Sequence, residues 1–574
     1  MSEKPVKFVL CWHMHQPYYR DELQGDYQLP WVYLHAMKDY SDMAWHLEQH
    51  PKMRLVVNFA PVLLEQILDY TRQIGAFLDS GTPMNDRILN LLAGVTPIPV
   101  DIKARHRIIS DCQRCNAATM INPWPAYKAL IRYPRRMHTG DSELPADHTE
   151  LGYLNEQYFH DLLTWYHLAW LGYAVRQQPR VQALFEKAGG YTLEDRLELL
   201  RIIHECINSI IPRFRHLGER GQIELSMTPW GHPIVPLLND FNNADCAMPG
   251  AASPASDTYP GGKQRSRWHM QHGIELFERC FGHRPQGVWL SEGSISEDSM
   301  ELLDEFGMQW TASGESVWRN SARLSKLDDT TITSKSGLFH TYRTPGSHCN
   351  IFFRDDGLSD LIGFEYRNWD AGDAVANFIS HIRNIAKFLA KDCNECCISV
   401  IMDGENAWEY YPDNGMHFID RLYQALAKEP AIEAVTFAEA ARLPAARLPA
   451  ICPGSWVYGS FSTWIGDAEK NRAWDLLVEA KRDYDRCMDS TTLGAQQRMH
   501  ITRQLAICEG SDWFWWFGDY NPSESVKDFD RLYRSQLRML YQLMDITPPP
   551  SLEIPISLGQ SQAKSGSGTM RRNA

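Results

Sequence analysis

The sequence is 574 residues long and carries 57 Lys and Arg against 71 Asp and Glu, a formal net charge of −14. This acidic balance argues against a nucleic-acid partner, because phosphate binding requires clustered Lys and Arg. Hydrophobic residues make up 44% of the chain and charged residues 22%, an ordinary globular composition that is able to bury a large core. The unusual number is 19 Trp, with 24 Tyr and 22 Phe, because large aromatic rings suit both cores and the faces of flat ligands.

The cysteines and the chain start predict the compartment. Thirteen cysteines, an odd number scattered along the chain, predict no disulfide framework. Two pairs, Cys112/Cys115 and Cys393/Cys396, have the C-x2-C spacing of a zinc site, but buried free thiols are the favoured interpretation. The N-terminus enters a strand-like run without an apolar leader, and no run of about 18 apolar residues occurs. We therefore expect a reduced, cytoplasmic protein without membrane contact, whose oligomeric state the sequence does not predict.

Short β-rich runs alternate with helical patterns up to about residue 403. The predicted strands cover residues 6–12, 54–59, 222–227, 287–290, 308–312 and 397–402. Pro61 suits the first turn of a helix after the second strand, and a helix over residues 373–390 precedes the last one. Residues 84–218 are mostly helical and polar and end in a long helix that Thr192 caps, with Asp195 three residues further on.

Strands that alternate with helices predict parallel pairing, either in a β/α barrel or in an open doubly wound sheet. No Gly-x-Gly-x-x-Gly sequence follows a strand, and no Gly-Lys-Ser/Thr phosphate loop occurs. The sequence therefore predicts no nucleotide site and no cofactor, which favours the barrel.

The pattern changes after about residue 415, where three amphipathic helices follow one another. These predicted helices cover residues 468–486, 493–508 and 525–544. A proline triplet then ends the helical part, and the Ser/Gly/Gln-rich stretch beyond it is typical of disorder. The predicted parts are a barrel over residues 1–414 with a mainly helical insertion around 84–218, a helical domain over 415–556 that lines the cleft, and a disordered tail over 557–574.

Polar residues stand where the predicted strands end, and in a β/α barrel the active site forms at the carboxyl ends of the strands. They are His13, His15 and Gln16 at the first strand, Glu224, Trp230 and His232 at the third, Trp289 and Glu292 at the fourth, and Asp403 and Glu405 at the last. The spacing of His13 and His15 fits either a metal pair or two hydrogen-bonded core histidines. One glutamate after a strand is often a cap or a surface residue, so the prediction depends on several such residues converging.

Two carboxylates, Glu292 and Asp403, end two different strands beside Trp and His residues. This suits a retaining glycosidase, in which one carboxylate attacks the anomeric carbon and the other protonates the leaving oxygen. The two groups must then have different environments, so that one is ionised and the other protonated near pH 7. We predict carboxyl groups about 5–5.5 Å apart, the separation typical of retention.

Five separated motifs carry a resemblance to a known family. They are Trp12-His13-Met14-His15-Gln16-Pro17-Tyr18, Gly221 to Glu224 with Trp230-Gly231-His232-Pro233-Ile234, Gly287-Val288-Trp289-Leu290-Ser291-Glu292-Gly293-Ser294, Met402-Asp403-Gly404-Glu405-Asn406, and Ser511-Asp512-Trp513-Phe514-Trp515-Trp516-Phe517-Gly518-Asp519. In this order they resemble glycoside hydrolase family 57, whose members are α-amylases, amylopullulanases, 4-α-glucanotransferases and branching enzymes. The resemblance spans nearly the whole chain.

The resemblance implies a seven-stranded (β/α) barrel with helical insertions and an α-helical C-terminal domain. By position, Glu292 would be the nucleophile and Asp403 the general acid/base. The residues implied to line the sugar subsite at the cleaved bond are His15, Glu224, His232 and Trp289, with Trp513 and Asp519 at the rim. The other substrate-binding candidates are His13, Gln16, Trp230 and Glu405, and no metal ligand is predicted.

Three functions remain open from the sequence. The first is retaining hydrolysis of α-glucans, and its closest alternative is transglycosylation by a glucanotransferase or branching enzyme, which shares the chemistry and differs only in the acceptor. The second is metal-dependent hydrolysis, such as sugar deacetylation or a mannosidase-like reaction, with His13, His15 and an acid as ligands. The third is non-catalytic glucan binding, against which the presence of both Glu292 and Asp403 counts.

Overall fold

The computed structural model describes residues 5–137, 149–390, 395–489 and 493–559. Cys393 and all but the first three residues of the predicted tail therefore lie outside the described residues. Among the described residues no helix is both long and apolar enough to cross a membrane.

Seven parallel segments close into a barrel. In chain order they are Val6–Met14, Leu55–Phe59, Ile223–Met227, residues 287–288, Trp310–Ser313, Asn350–Phe353 and Cys397–Asp403. Each pairs in parallel with the next, and the last pairs with the first, so that Asp403 lies opposite His13. This closure confirms the barrel and excludes the open doubly wound sheet.

The sequence predicts six of these seven segments and misses Asn350–Phe353. This strand is a short apolar run without alternation, which the sequence does not distinguish from a segment of a buried helix. The predicted strand over 287–290 reduces to parallel bridges at 287 and 288. A glycine is required there, because a Cβ atom on Gly287 would lie 2.1 Å from the indole of Trp310.

Alternate strand residues point into the barrel, as the two-residue period of a strand requires. The interior cluster includes Val9, Cys11, Val56, Trp289, Trp310, Phe352 and Ile401. The intervening residues, such as Phe8, Leu10 and Trp12, belong to the larger core beneath the surrounding helices.

Helices cover the barrel and build most of the remaining described structure. The longer ones are Ser41–Gln49, Pro61–Ser80, Ile102–Asp111, Pro125–Met137, Glu156–Trp170, Pro179–Lys187, Leu193–Glu219, Gly262–Phe281, Glu297–Glu305, Glu315–Leu324, Ala371–Phe388, Met416–Leu426, Ala468–Met488, Ala495–Cys508 and Ser523–Leu543. Short helices include Trp31–His35, Arg87–Leu92, Tyr173–Arg176, Val235–Asn239, Asp329–Thr333, Asp356–Asp360, Phe437–Ala440 and Asp512–Trp516, and the short strands are Arg20–Asp21, Asp26–Tyr27, Thr341–Arg343, Ile432–Ala434 and Ala445–Arg447.

The long helix Leu193–Glu219 connects the helical insertion to the third barrel strand. Its N-terminus has the predicted capping box, in which the Thr192 hydroxyl accepts the backbone N–H of Asp195 and the Asp195 carboxylate accepts that of Thr192. The helix packs against Pro61–Ser80, the helix that follows the second strand. The helical insertion therefore packs on the barrel through the contact between these two helices.

The segment after residue 415 stays beside the barrel before the helical part begins. The short strand Ile432–Ala434 pairs with the first barrel strand, and Ala445–Arg447 pairs with Thr341–Arg343. The three predicted helices then follow from Ala468 onward. The division into domains at residue 414 stays a prediction.

One disulfide corrects the expectation from the cysteines: Cys246 and Cys452 are paired, with Cα atoms 5.8 Å apart. Their sequence separation of 206 residues gives no recognisable spacing, which is why the sequence did not indicate the pair. Cys112 and Cys115 are free and buried, and burial raises the pKa of both thiols. Buried neutral thiols are poor zinc ligands, since zinc binds the thiolate.

A buried ionic cluster joins the helical domain to the barrel. Glu509, at the end of helix Ala495–Cys508, accepts hydrogen bonds from the Arg265 guanidinium at 2.7 and 2.8 Å. The ring of His269 lies 2.8 Å from the same carboxylate. Although burial alone would raise it, the pKa of Glu509 falls to about 2, because Arg265 and His269 favour the ionised form.

Replacing Glu509 with Gln should therefore destabilise the fold by about 3–5 kcal/mol, because Arg265 would be left buried without its counter-charge. Urea unfolding measures this. The matched control is Glu305→Gln at the exposed pair with Arg267, which should cost about 0–1 kcal/mol.

The pH dependence follows from the same pair. The folded pKa of Glu509 lies below its ordinary value of 4.5, so its stabilisation is complete above that value and is lost as the pH falls towards about 2. A Glu509→Gln variant should lack this part of the acid destabilisation. Equal costs for the two glutamine variants at pH 7 would contradict the role of the cluster.

Candidate active site

A cavity of about 1050 Å³ opens at the carboxyl ends of the barrel strands. It is bounded by the barrel, by the helical insertion and by the helical domain, with lining residues from all three. Both predicted catalytic carboxylates, Glu292 and Asp403, line it. The strand topology explains this, because parallel strands end on the same edge of a barrel.

Glu292 reaches the cavity from a strained turn. Its φ of 58° lies in the left-handed region, and the next residue, Gly293, also has φ 58°. A Cβ atom on Gly293 would lie 2.6 Å from the Trp289 indole, so this position requires glycine. A strained backbone conformation persists only where the surrounding structure fixes it, and such positions are common at active sites. The indole of Trp456 donates to Glu292 Oε2 at 2.9 Å.

Asp403 ends the last barrel strand, opposite His13 of the first. Its Oδ2 accepts a hydrogen bond from the amide of Asn406 at 2.9 Å. The next residue is held tightly, since the N–H of Gly404 donates to the His13 carbonyl at 2.7 Å. A Cβ atom on Gly404 would lie 2.2 Å from the sulfur of Met14.

Burial dominates the electrostatics of the carboxylate pair. Burial raises the pKa of Glu292 to about 8, the hydrogen bond from Trp456 opposes this, and the negative charge of Asp403 adds to the rise. Burial also raises the pKa of Asp403, against the hydrogen bond from Asn406 and the charges of His15 and Arg354. Because the pKa of Glu292 is about 8, the pair retains a proton at neutral pH.

Three histidines form a stack beside this pair. The rings of His15 and His232 lie parallel with centroids 3.7 Å apart, and His13 stacks against His232 at 5.4 Å. Burial lowers the pKa of His13 to about 3, and the positive charge that His15 carries when protonated lowers it further. His232 has φ 57° and its Nδ1 lies 4.0 Å from Glu292 Oε1. Because its pKa is lowered to about 3, His13 is neutral at pH 7.

His15, His232 and Asp512 are the residues that could hold a metal ion among those the structure describes, with ligand atoms within 4.8 Å of one another. Asp512 Oδ1 already lies 2.9 Å from His15 Nε2, and the Ser511 hydroxyl lies 2.8 Å from His232 Nδ1. A ring nitrogen binds a metal in the plane of its ring, and the planes of His15 and His232 differ by only 11°. The two rings therefore do not converge on one ion, which disfavours metal-dependent hydrolysis.

Four of the ten predicted substrate-binding residues line the cavity: His13, His15, Gln16 and Glu405. Glu405 Oε1 accepts from the backbone N–H of His15 at 3.2 Å and from the amide of Gln16 at 3.3 Å. Burial raises the pKa of Glu405 well above its ordinary value. His232 lies just behind this wall, fully buried under His15.

Glu224 and Trp289 lie inside the barrel instead. Glu224 is the second residue of its strand, close to the amino end, where its carboxylate accepts from the Trp310 indole at 2.6 Å and from the N–H of Ala438 at 2.9 Å. Trp289 is fully buried in the barrel interior and packs edge-on against Trp456. For Glu224, the sequence did not separate the two ends of the strand.

Trp230, Trp513 and Asp519 do not line the cavity either. The Trp230 indole donates to Glu65 at 3.0 Å under the barrel helices. Trp513 is 1% exposed and donates to the Ile507 carbonyl at 2.8 Å in the core of the helical domain. Asp519 lies exposed in a turn, while Asp512, Trp515 and Trp516 of the same motif reach the cavity.

Sequence reasoning missed three residues of the site: Trp456, Arg354 and Asp512. Arg354 follows the short strand that was not predicted, and its guanidinium lies 4.7 Å from the ring of Trp456. Trp456 belongs to a segment that lies beside the turn of Glu292. The backbone N–H of Trp456 donates to the backbone carbonyl of Glu292 at 3.0 Å. Asp512 stood inside a recognised motif, which was the signal that could have identified it.

A closed β/α barrel with two half-buried carboxylic acids at the carboxyl ends of different strands has the architecture of a glycosidase barrel. The model of glycosyl hydrolase family 57 matches residues 9–451. The chain belongs to glycosyl hydrolase family 57.

Solved structures agree with this fold. A family 57 branching enzyme from Thermococcus kodakaraensis is 16% identical, with 94% of this chain and 90% of that chain covered and a TM-score of 0.54. A family 57-type branching enzyme from Pyrococcus horikoshii is 14% identical over 98% of each chain, with a TM-score of 0.53. The α-amylase AmyC from Thermotoga maritima is 13% identical over 96% of this chain and 99% of that chain, with a TM-score of 0.53.

Proposed function

We propose that the protein is a retaining glycosidase that acts on α-glucans. The observation that supports it most is the pairing of Glu292 and Asp403 in one cavity, each hydrogen-bonded to its own donor. Solved structures that share the fold include branching enzymes and an α-amylase, which supports an α-glucan as the substrate class.

Glu292 attacks the anomeric carbon while Asp403 protonates the departing glycosidic oxygen, which gives a glycosyl-enzyme ester. Asp403 then accepts a proton from the incoming acceptor, and the ester is broken with net retention. The pair must hold one proton when the reaction begins, and the raised pKa values of both groups favour that state. Positive charge on the anomeric carbon favours ionised Glu292, so the proton belongs on Asp403 in the reacting complex.

The acceptor decides between hydrolysis and transfer. Water completes hydrolysis, whereas a sugar hydroxyl bound in the same cavity completes transglycosylation. Aromatic residues of the helical domain, Trp515, Trp516 and Tyr520, line the cavity and offer apolar surfaces to sugar rings. Both outcomes use the same carboxylate pair, so their products must be measured.

Glu292→Gln should abolish turnover, because the nucleophile is lost. Asp403→Asn should lose about 10²–10⁴-fold in kcat/KM on maltooligosaccharides. The same variant should retain the first step on an aryl maltooligosaccharide, whose leaving group needs no proton. Steady-state and burst kinetics on both substrates measure this.

The matched control is Glu301→Gln on the exposed side of a barrel helix, which should behave as the wild-type protein. Near wild-type turnover by Glu292→Gln would refute the assignment of the nucleophile.

Trp456→Phe should move the acidic limb of the kcat/KM profile to higher pH. The indole hydrogen bond favours ionised Glu292, so its removal raises the pKa of that group. A hydrogen bond to a charged group contributes about 1.5–3 kcal/mol, which corresponds to a shift of roughly one pH unit or more. Tyr458→Phe, which alters a neighbouring cavity residue, is the control and should leave the limb in place. An unmoved limb in Trp456→Phe would show that this indole does not tune Glu292.

Incubation with amylose should release new reducing ends while the iodine colour falls. Loss of iodine colour without new reducing ends would instead establish transfer as the main reaction. Pullulan in parallel shows whether α-1,6 bonds are cleaved. Glu292→Gln is the blank for all these assays.

A cytoplasmic location also belongs to this proposal. Its support is the number of free, buried cysteines among the described residues, which are typical of reducing compartments. The pair Cys246 and Cys452 is the exception. Thiol alkylation in intact cells, followed by mass spectrometry of both cysteine peptides, would test it.

A further inference from the structure

The active-site cavity extends away from the carboxylate pair, between the helical insertion and the helical domain. In this part its lining residues include His106, Ser110, Gln113 and Arg114 from the insertion, and Glu524 and Asp528 from the helical domain. A second cavity of about 90 Å³ lies next to it, and Leu29 lines both. Arg107 and Gln24, which line the small cavity, are exposed, so the small cavity reaches the surface.

Arg114 lines the large cavity and is ion-paired to acidic residues of both cavities. Its Nη1 donates to Asp528 Oδ2 at 2.9 Å and its Nη2 donates to Glu524 Oε1 at 3.0 Å. Its Nε lies 3.6 Å from Oδ1 of Asp111, which lines the small cavity. The ion pairs therefore run from the wall of one cavity to the wall of the other.

The surrounding backbone positions Arg114. Arg114 lies in the turn after helix Ile102–Asp111, between two buried cysteines. The N–H of Asn116 donates to Glu409 Oε1 at 3.1 Å, which ties the turn to the loop that follows Asp403. The side chain of Arg114 is only 23% exposed and that of Asp528 20%, so their attraction is screened less than at an open surface.

We propose that Arg114, with Asp528 and Glu524, closes the far end of the cleft and sets the length of glucan chain that the enzyme uses. The inference rests on the proposed function, because it concerns the substrate of the same site. The guanidinium and the carboxylates present hydrogen-bonding groups to the terminal sugar hydroxyls. Without Arg114 the large and small cavities join, and a longer chain extends through them to the surface.

The test is the dependence of kcat/KM on the length of linear maltooligosaccharides. In the wild-type protein kcat/KM should rise with length and then become constant. In Arg114→Ala the length at which it becomes constant should increase by at least one glucosyl unit. Turnover of a short aryl glucoside is measured in each variant as the reference for the chemistry.

Arg531→Ala is the matched control. Arg531 pairs with Asp528 at 3.4 Å from the outside, is 51% exposed, and lines neither cavity. The Arg531→Ala substitution removes a positive charge beside Asp528 but leaves Arg114 in the cavity wall. The chain length at which kcat/KM becomes constant, the limiting length, should therefore not change. A limiting length that moves equally in both variants would overturn the proposal, because charge alone would then account for it.

Ser110→Trp acts in the opposite direction. Ser110 lines the large cavity next to Asp111, and a bulky side chain there should shorten the limiting length. This variant decides the question if Arg114→Ala does not fold, and an unchanged limiting length in it would overturn the proposal.

The inference and the proposed function fail differently. Absence of α-glucan turnover by the wild-type protein would overturn both. Turnover with the same limiting length in wild type and in folded Arg114→Ala would overturn the inference alone.

Discussion

The hydrogen-bonded ladder between the first and last barrel strands is the contact on which the site depends. It runs from Lys7 opposite Cys397 to His13 opposite Asp403. Because this ladder closes the barrel, residues that are 390 positions apart in sequence meet at one edge. The N–H of Gly404 then bonds to the His13 carbonyl, so the position of Asp403 is set by the first strand rather than by its own loop. The helical domain adds Asp512 to this edge through His15.

Burial of the closed site explains its chemistry. Carboxyls in water are ionised at pH 7, whereas burial raises the pKa of both Glu292 and Asp403. The pair keeps a proton because the pKa of Glu292 is about 8. Donors placed on each carboxylate, Trp456 and Asn406, oppose this shift and orient the groups. The nucleophile and the acid/base of the proposed reaction are therefore both available in one cavity.

The sequence predicted the features that depend on local residue patterns and on the order of the strands. Six of the seven barrel segments, the Thr192 cap and the convergence of Glu292 and Asp403 on one cavity followed from period, capping residues and parallel topology. It could not predict contacts made by distant parts of the chain. The Trp456 hydrogen bond joins residues 164 apart, and the Cys246–Cys452 pair spans 206. Resemblance to a family motif also does not tell a cavity wall from a core, and Trp513, which the resemblance implied at the rim, is buried.

The most direct test of the account is to identify the residue that carries the sugar in the glycosyl-enzyme. Asp403→Asn, which slows release of the sugar, is incubated with a maltooligosaccharyl fluoride, digested and analysed by mass spectrometry. The account predicts a glycosyl mass on the peptide that contains Glu292, and fragmentation should place it on that carboxylate. A label on another residue, or first-formed products of inverted anomeric configuration, would contradict it.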